Sequence, residues 1–416
     1  MIELKQEPER VILVSVSTGS EEDAAASLHE LKELARTAGA VAVCSVLQNR
    51  EAPHPGTYVG RGKLEELRQM LELYEADGVI CDDELSPAQM NNLAEELQCK
   101  VMDRTLLILD IFAGRARSSE GKVQVELAQL RYRKERLTGL GKSLSRLGGG
   151  IGTRGPGEKK LEMDRRLINS RISILRGELE EIRRHRELIR HGREAGLMKT
   201  AALVGYTNAG KSTLLNALTG ADVFAEDSLF ATLDPTTRAL DLPLGGQILL
   251  TDTVGFIHKL PHHLIDAFKS TLEEAKYADI LIHMVDASDP EEDMHRHVVY
   301  ETLASLKVGD KPLITVFNKM DKLTDPDRIR RLHDPKADVT VTASVKYGNG
   351  LQLLLAELEK MMQADKILIE RVFDYQHAGE IAIIRKYGRL LEERYQDDGI
   401  YVKAYVPREI YARISF

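Results

Sequence analysis

Apolar residues along this chain change their period near residues 113 and 199, so three kinds of structure are expected in succession. Up to residue 112, β-branched runs alternate with helical spacings. Val11–Ser17 (VILVSVS), Ala40–Leu47, Gly78–Cys81 and Lys100–Met102 predict strands. Glu21–Ala38 and Gly60–Ala76 carry helical spacing, the first ending at Gly39, and Pro87 after Ser86 is a natural helix start. Gly60-Arg61-Gly62-Lys63 is read as the tight turn that opens a helix. Strands alternating with helices predict a small parallel α/β subdomain over 1–112.

From 113 to 198 the β-rich runs vanish. Ser119–Arg146 carries Val123, Leu127 and Leu130 at helical spacing. Glu158–Arg193 does the same with Leu161, Leu167, Ile168, Ile172, Leu175, Leu179 and Ile182. Two such long helices predict an antiparallel hairpin. Their connection, Leu147–Glu158 (LGGGIGTRGPGE), holds six glycines and one proline and fits neither helix nor strand.

Continuous apolar runs return at Ala201–Val204, Ile248–Asp252, Ile280–Val285, Leu313–Asn318 and Val339–Thr342. Strands buried on both faces look like this, and helical stretches separate most of them, so 199–364 predicts a doubly wound α/β domain. The remaining 365–416 has alternating runs at Glu380–Ile384 and Ile400–Val406 and predicts a small C-terminal α/β domain.

Charge sharpens this division. The chain totals -8, yet Ala113–Lys199 holds 22 Lys and Arg against 11 Asp and Glu, a net of +11. Such a block suits an anionic partner, nucleic acid first, although long exposed helices are also charge-rich for their own sake. The glycine-rich tip, with Arg154 inside it and Arg146, Lys159 and Lys160 at its edges, would present amides and cations to phosphates. Cys44, Cys81 and Cys99 form no C-x-x-C pair and fit a reducing compartment. No apolar run nears the ~18 residues of a membrane span. Met1–Arg10 shows no signal-peptide pattern, so a cytoplasmic protein without a membrane partner is expected.

The chemistry sits at the ends of the apolar strands. Gly205, Tyr206, Thr207, Asn208, Ala209, Gly210, Lys211 and Ser212 match G-x-x-x-x-G-K-[ST], with Thr213 following. Loop amides and a helix N-terminus hold the α and β phosphates there, Lys211 reaches β and γ, and the Ser212 hydroxyl meets magnesium. Asp252, Thr253, Val254 and Gly255 form D-x-x-G, with Asp252 near magnesium and the Gly255 amide near the γ-phosphate. Asn318, Lys319, Met320 and Asp321 form N-K-x-D. The Asp321 carboxylate accepts from guanine N1 and N2, donors adenine lacks, so the nucleotide is GTP. Lys211, Thr232 and Gly255 are the candidate catalytic residues.

Between the first two motifs lies LFATLDPTTR, Leu229–Arg238, in which one threonine should close over magnesium. Thr232 is preferred, with Thr236 and Thr237 as rivals. Ser344, Val345 and Lys346 precede Tyr347-Gly348, where amides would touch guanine O6. Phe256 stands where Ras-type enzymes use a glutamine to orient water, so another group must do so and unaided hydrolysis should be slow.

These residues resemble the HflX family of translation-associated GTPases across nearly the whole chain. The likeness includes YVGRGKLEEL (Tyr58–Leu67), LSPAQMNNL (Leu85–Leu93), the run Asp103–Leu130, the glycine loop, FATLDPTTR (Phe230–Arg238) and the run Asp252–Glu274. A hydrophobic residue after D-x-x-G is also a family trait. The resemblance implies an N-terminal domain of α/β part plus hairpin, then the G domain. It implies binding to the large ribosomal subunit and its rRNA, with the hairpin reaching toward the peptidyl-transferase region, and splitting of stalled or idle ribosomes. It implies Ser212 and Thr232 as magnesium ligands, and nucleotide contacts at 205–212, at Phe230, Ala231, Thr232, Leu233 and Asp234, and at 252–255, 318–321 and 344–346. Asn208 resembles the asparagine that helps hold potassium in some relatives. Where the family often has GETQLE, this chain has GEKKLE (Gly157–Glu162), which adds two positive charges. A monomer is expected. A ribosome or RNA assembly GTPase would show the same RNA-facing charge, whereas a switch for a protein effector would not need it.

Overall fold

The computed structural model describes residues 7–145, 156–195, 199–221, 228–243, 246–260, 272–364, 366–412 and 414. By packing, the chain divides into two compact units. The first comprises 1–186 with 226–234 and 254–271, and the second 187–225, 235–253 and 272–416.

In the first unit β1 (Arg10–Ser17), β2 (Val41–Asn49), β3 (Gly78–Cys81) and β4 (Lys100–Asp103) form a parallel sheet in the order β2-β1-β3-β4. The interleaved helices are α1 (Glu21–Thr37), α2 (Arg61–Leu73) and α3 (Pro87–Leu97). The β1 run is buried because it is flanked by strands and covered on its faces. α3 starts where expected: Ser86 and Gln89 form a reciprocal capping box and Pro87 occupies the first turn. A helix not predicted as such, α4 (Arg104–Arg115), follows β4, its start capped by the Asp103 carboxylate accepting from the Leu106 amide at 2.8 Å.

The hairpin is α5 (Ser119–Ser145) and α6 (Pro156–Ala195). Leu127 packs with Ile172 and Leu175, while Arg171 grips Glu126 and Arg186 pairs with Glu120, which makes the two helices antiparallel. Tyr132 and Arg136 of α5 both donate to the buried Asp103, at 2.8 and 2.6 Å, and fix the hairpin to the end of the sheet. Residues 146–155, most of the glycine-rich tip with Arg146 and Arg154, lie outside the described residues, as do the side chains of Lys159 and Lys160.

The second unit is built on a six-stranded sheet of order β10-β9-β8-β5-β7-β6. Its strands are β5 (Thr200–Gly205), β6 (Thr236–Asp241), β7 (Gln247–Asp252), β8 (Ile280–Asp286), β9 (Leu313–Asn318) and β10 (Val339–Thr342). All neighbours are parallel except the edge strand β6, which runs antiparallel to β7. α7 (Lys211–Thr219) follows β5. β6 was not among the predicted strands: Thr236 and Thr237 sit on it, and the Thr237 hydroxyl lies 2.9 Å from that of Thr251.

The C-terminal part of this unit has its own antiparallel sheet of β11 (Lys366–Phe373), β12 (Arg389–Gln396) and β13 (Gly399–Pro407), ordered β11-β13-β12. Glu380–Ile384 is not a strand. It lies in the helix Ala378–Tyr387, where Ile381 and Ile384, three apart, both enter the core. A five-residue run satisfies either period, and only the neighbours decide.

Candidate nucleotide site

In an open α/β sheet, ligands bind beyond the carboxyl ends of the strands. β5 ends in Gly205 at φ +151°, and a Cβ there would come within 2.3 Å of the Met284 carbonyl oxygen. At Gly210, φ +99°, a Cβ would meet the Asn318 amide nitrogen at 2.4 Å. Both glycines are therefore required by close approach as well as by backbone shape.

α7 opens with Lys211, whose ammonium donates to the carbonyl oxygens of Gly205 at 3.1 Å and Tyr206 at 2.7 Å. Burial pushes this amine down to about 8, against the nearby negative charge of Asp252. The next residue, Ser212, donates from its hydroxyl to the Asp252 carboxylate at 2.6 Å, and Asp252 is fully buried. A hydroxyl and a carboxylate meeting at the start of a phosphate-binding helix form the hard oxygen set that magnesium prefers. Thr213 is exposed on α7.

The base side is tied to the phosphate side by one side chain. The Asn318 amide donates to the Ala209 carbonyl at 3.0 Å, and its oxygen accepts from the Val345 amide at 3.0 Å. Ser344 is buried and its hydroxyl donates to Asp321, which holds that carboxyl below its usual range. Met320 donates its amide to the Ala343 carbonyl at 3.2 Å. Lys319 sits at φ +62° and its ammonium meets Asp286, at the end of β8, at 2.7 Å. Sequence reasoning missed Asp286, though its place at a strand's carboxyl end was a usable signal. It also missed the stacking of Tyr206 on His295, 3.7 Å between ring centroids, for which no motif gave warning.

The structure brings together 205–213, 252–253, 318–321 and 344–346 in the second unit. Residues 230–234 and 254–255 belong by packing to the first. There Phe230, at φ +53°, sets its ring edge-on to Phe112 at 4.6 Å. Leu233, Val254 and Phe256 are buried, and the Asp234 carboxylate accepts from the amides of Arg117 and Ser118. Ala231 and Thr232 are half-buried. With Thr236 and Thr237 placed on β6, Thr232 is the threonine of this stretch that stands in a loop.

Three family models match in succession: a GTP-binding GTPase N-terminal region over 25–113, a GTP-binding GTPase middle region over 115–193, and a 50S ribosome-binding GTPase over 200–319. The GTPase HflX of Lacrimispora saccharolytica is 62% identical over 415 residues, covering 100% of this chain and 97% of its own. This chain belongs to the HflX family of GTPases. The Escherichia coli K12 HflX is 43% identical, covering 86% of this chain and 84% of its own. A solved GTP-binding protein from Sulfolobus solfataricus in complex with GDP is 26% identical, with 85% and 98% coverage and a TM-score of 0.46. Like the rest of the HflX family, the protein binds GTP and GDP and is a GTP hydrolase. No described helix is long and apolar enough to cross a membrane.

Proposed function

We propose that this HflX protein binds the large ribosomal subunit through its basic hairpin and separates stalled or idle ribosomes, with GTP hydrolysis timing its release. The observation that carries this reading is the +11 block on 113–199. The described part of the hairpin leaves Lys122, Arg133, Arg165, Arg166, Arg176 and Arg184 exposed. Phosphate contacts of this kind supply affinity and make it steeply salt-dependent. Membership of a family whose G-domain model is described as 50S ribosome-binding points the same way.

At the nucleotide, Ser212 and Thr232 would hold magnesium, and Lys211 would neutralise charge developing on the β and γ phosphates. The Gly255 amide meets the γ-phosphate. The sequence motifs assign nucleotide contacts to Gly205 to Thr213, Phe230 to Asp234, Asp252 to Gly255, Asn318 to Asp321 and Ser344 to Lys346. Magnesium supplies Lewis-acid charge to the transferring phosphoryl group when bound. Phe256 is buried and has no polar atom to offer, so water must be positioned by another group. Asn208, at φ +60° in the phosphate loop, holds potassium, and turnover in KCl should exceed that in NaCl. The protein acts as a cytoplasmic monomer.

Sedimentation of mature ribosomes with protein and GTP tests the assignment. Conversion to separate subunits, weakened by raising salt, is expected. Intact ribosomes with protein bound only to precursor particles would replace splitting with an assembly role.

A further inference from the structure

The two loop segments that flank the γ-phosphate side of a GTPase are gripped by the N-terminal domain, each through a built polar contact. In the segment carrying Thr232, one Asp234 oxygen accepts from the amides of Arg117 at 2.9 Å and Ser118 at 2.7 Å, and the other accepts from the Ser118 hydroxyl. Ser118 is itself the cap of α5, its hydroxyl accepting from the Gly121 amide at 2.8 Å. The carboxylate thus satisfies donors at the very start of the hairpin's first helix. Gly121 is where the fit is closest: a Cβ there would stand 2.3 Å from the Asp234 carboxylate. A helix has little reason to keep glycine in its first turn unless something must approach.

The segment after Gly255 is held elsewhere in the same domain. Lys259, at φ +54°, donates to Asp82 at 2.7 Å and Asp83 at 2.8 Å. Asp82 follows β3, is fully buried, and also accepts from Arg104 and Ser27, both at 2.7 Å. Burial raises the Asp82 carboxyl, and the charges of Arg104 and Lys259 outweigh it and hold the group below its usual value. Phe256 and Ile257 are buried beside this contact in the sequence. A charge at Lys259 is therefore part of what keeps a buried carboxylate satisfied.

We propose that the N-terminal domain is the in-cis reader of the nucleotide, with Asp234 linking the Thr232 segment to the first turn of α5 and Lys259 linking the segment after Gly255 to the carboxyl end of β3. Both are positioning residues. Coupling of this kind is reciprocal: whatever engages the hairpin biases the nucleotide loops by the same factor. This inference rests on the assignment of Thr232 and Gly255 to the γ-phosphate, and it does not require a ribosome.

Amide hydrogen exchange on the full chain tests it, comparing GDP with a non-hydrolysable GTP analogue. Amides of 228–234 and 254–259 should differ between the nucleotides, and those of 117–122 and 79–84 should follow them by about fivefold or more, the lower end of ordinary allosteric coupling. Gly121→Ala pushes the Asp234 carboxylate aside while favouring the helix, so it should erase the difference at 117–122 and leave that at 228–234. Lys259→Met should erase the difference at 79–84 alone. If 228–234 and 254–259 do not respond to nucleotide, the loop assignment fails and the proposal fails with it. If they respond and 117–122 and 79–84 do not, the proposal alone is overturned. A difference at 117–122 that survives Gly121→Ala shows that Asp234 merely packs there, and that too overturns it.

Discussion

The proposed guanine and phosphate pocket and the two segments proposed to meet the γ-phosphate are built in opposite ways. The pocket is self-contained: Asn318 ties the phosphate loop to residue 345, Lys211 caps carbonyls of its own loop, and Ser212 meets Asp252. Every partner is a residue of the motifs that end or follow β5, β7, β9 and β10. The loops spend their polar groups on the N-terminal domain, Asp234 at α5 and Lys259 at Asp82 and Asp83. The pocket is thus suited to hold a nucleotide whatever the rest of the chain does, and the loops are suited to report which nucleotide it is.

The largest effect should come from the pocket. Lys211→Ala removes the charge that faces the transferring phosphate, and turnover should fall by roughly 10²–10³-fold or more in a phosphate-release assay. Next is Asp321→Asn, which replaces a pure acceptor with a group that also donates. GTP affinity should drop by roughly 10²-fold while xanthosine triphosphate, carrying an oxygen at position 2, gains; unchanged preference would remove Asp321 from the base site.

A smaller effect follows from Lys211 titrating near 8. Phosphate charge raises that pKa, so nucleotide binding takes up a proton above it, and affinity falls as pH rises through 8. The GDP dissociation constant should increase by roughly tenfold between pH 7.5 and 9, and Lys211→Arg should flatten the profile. Smallest is Lys259→Met, which should change GDP affinity by less than about twofold, since GDP lacks the γ-phosphate to which the segment after Gly255 is assigned and so makes no differential contact there. A large loss there would end the separation between holding and reporting.

What was legible in the sequence follows the same line. The strands that carry the pocket are continuous apolar runs, and each motif begins where its run ends, so spacing located Gly205, Asp252, Asn318 and Ser344 without a structure. Contacts between positions far apart in sequence left no such trace. Asp234 meets Ser118 and Lys259 meets Asp82 across more than a hundred residues, and no local period records either pair. Short elements were missed or misread for a different reason. β6 and the helix Ala378–Tyr387 have too few apolar positions for a period to emerge, and an edge strand or a packed helix face is decided by its neighbours.

GTP turnover with and without purified large ribosomal subunits, with Lys211→Ala as control, shows whether the ribosome engages the hairpin and reaches the nucleotide. Strong stimulation by large subunits is expected, lost in the control and weakened as salt is raised. Intact GTP binding with no stimulation at any salt concentration would contradict it, and the basic hairpin would need another partner.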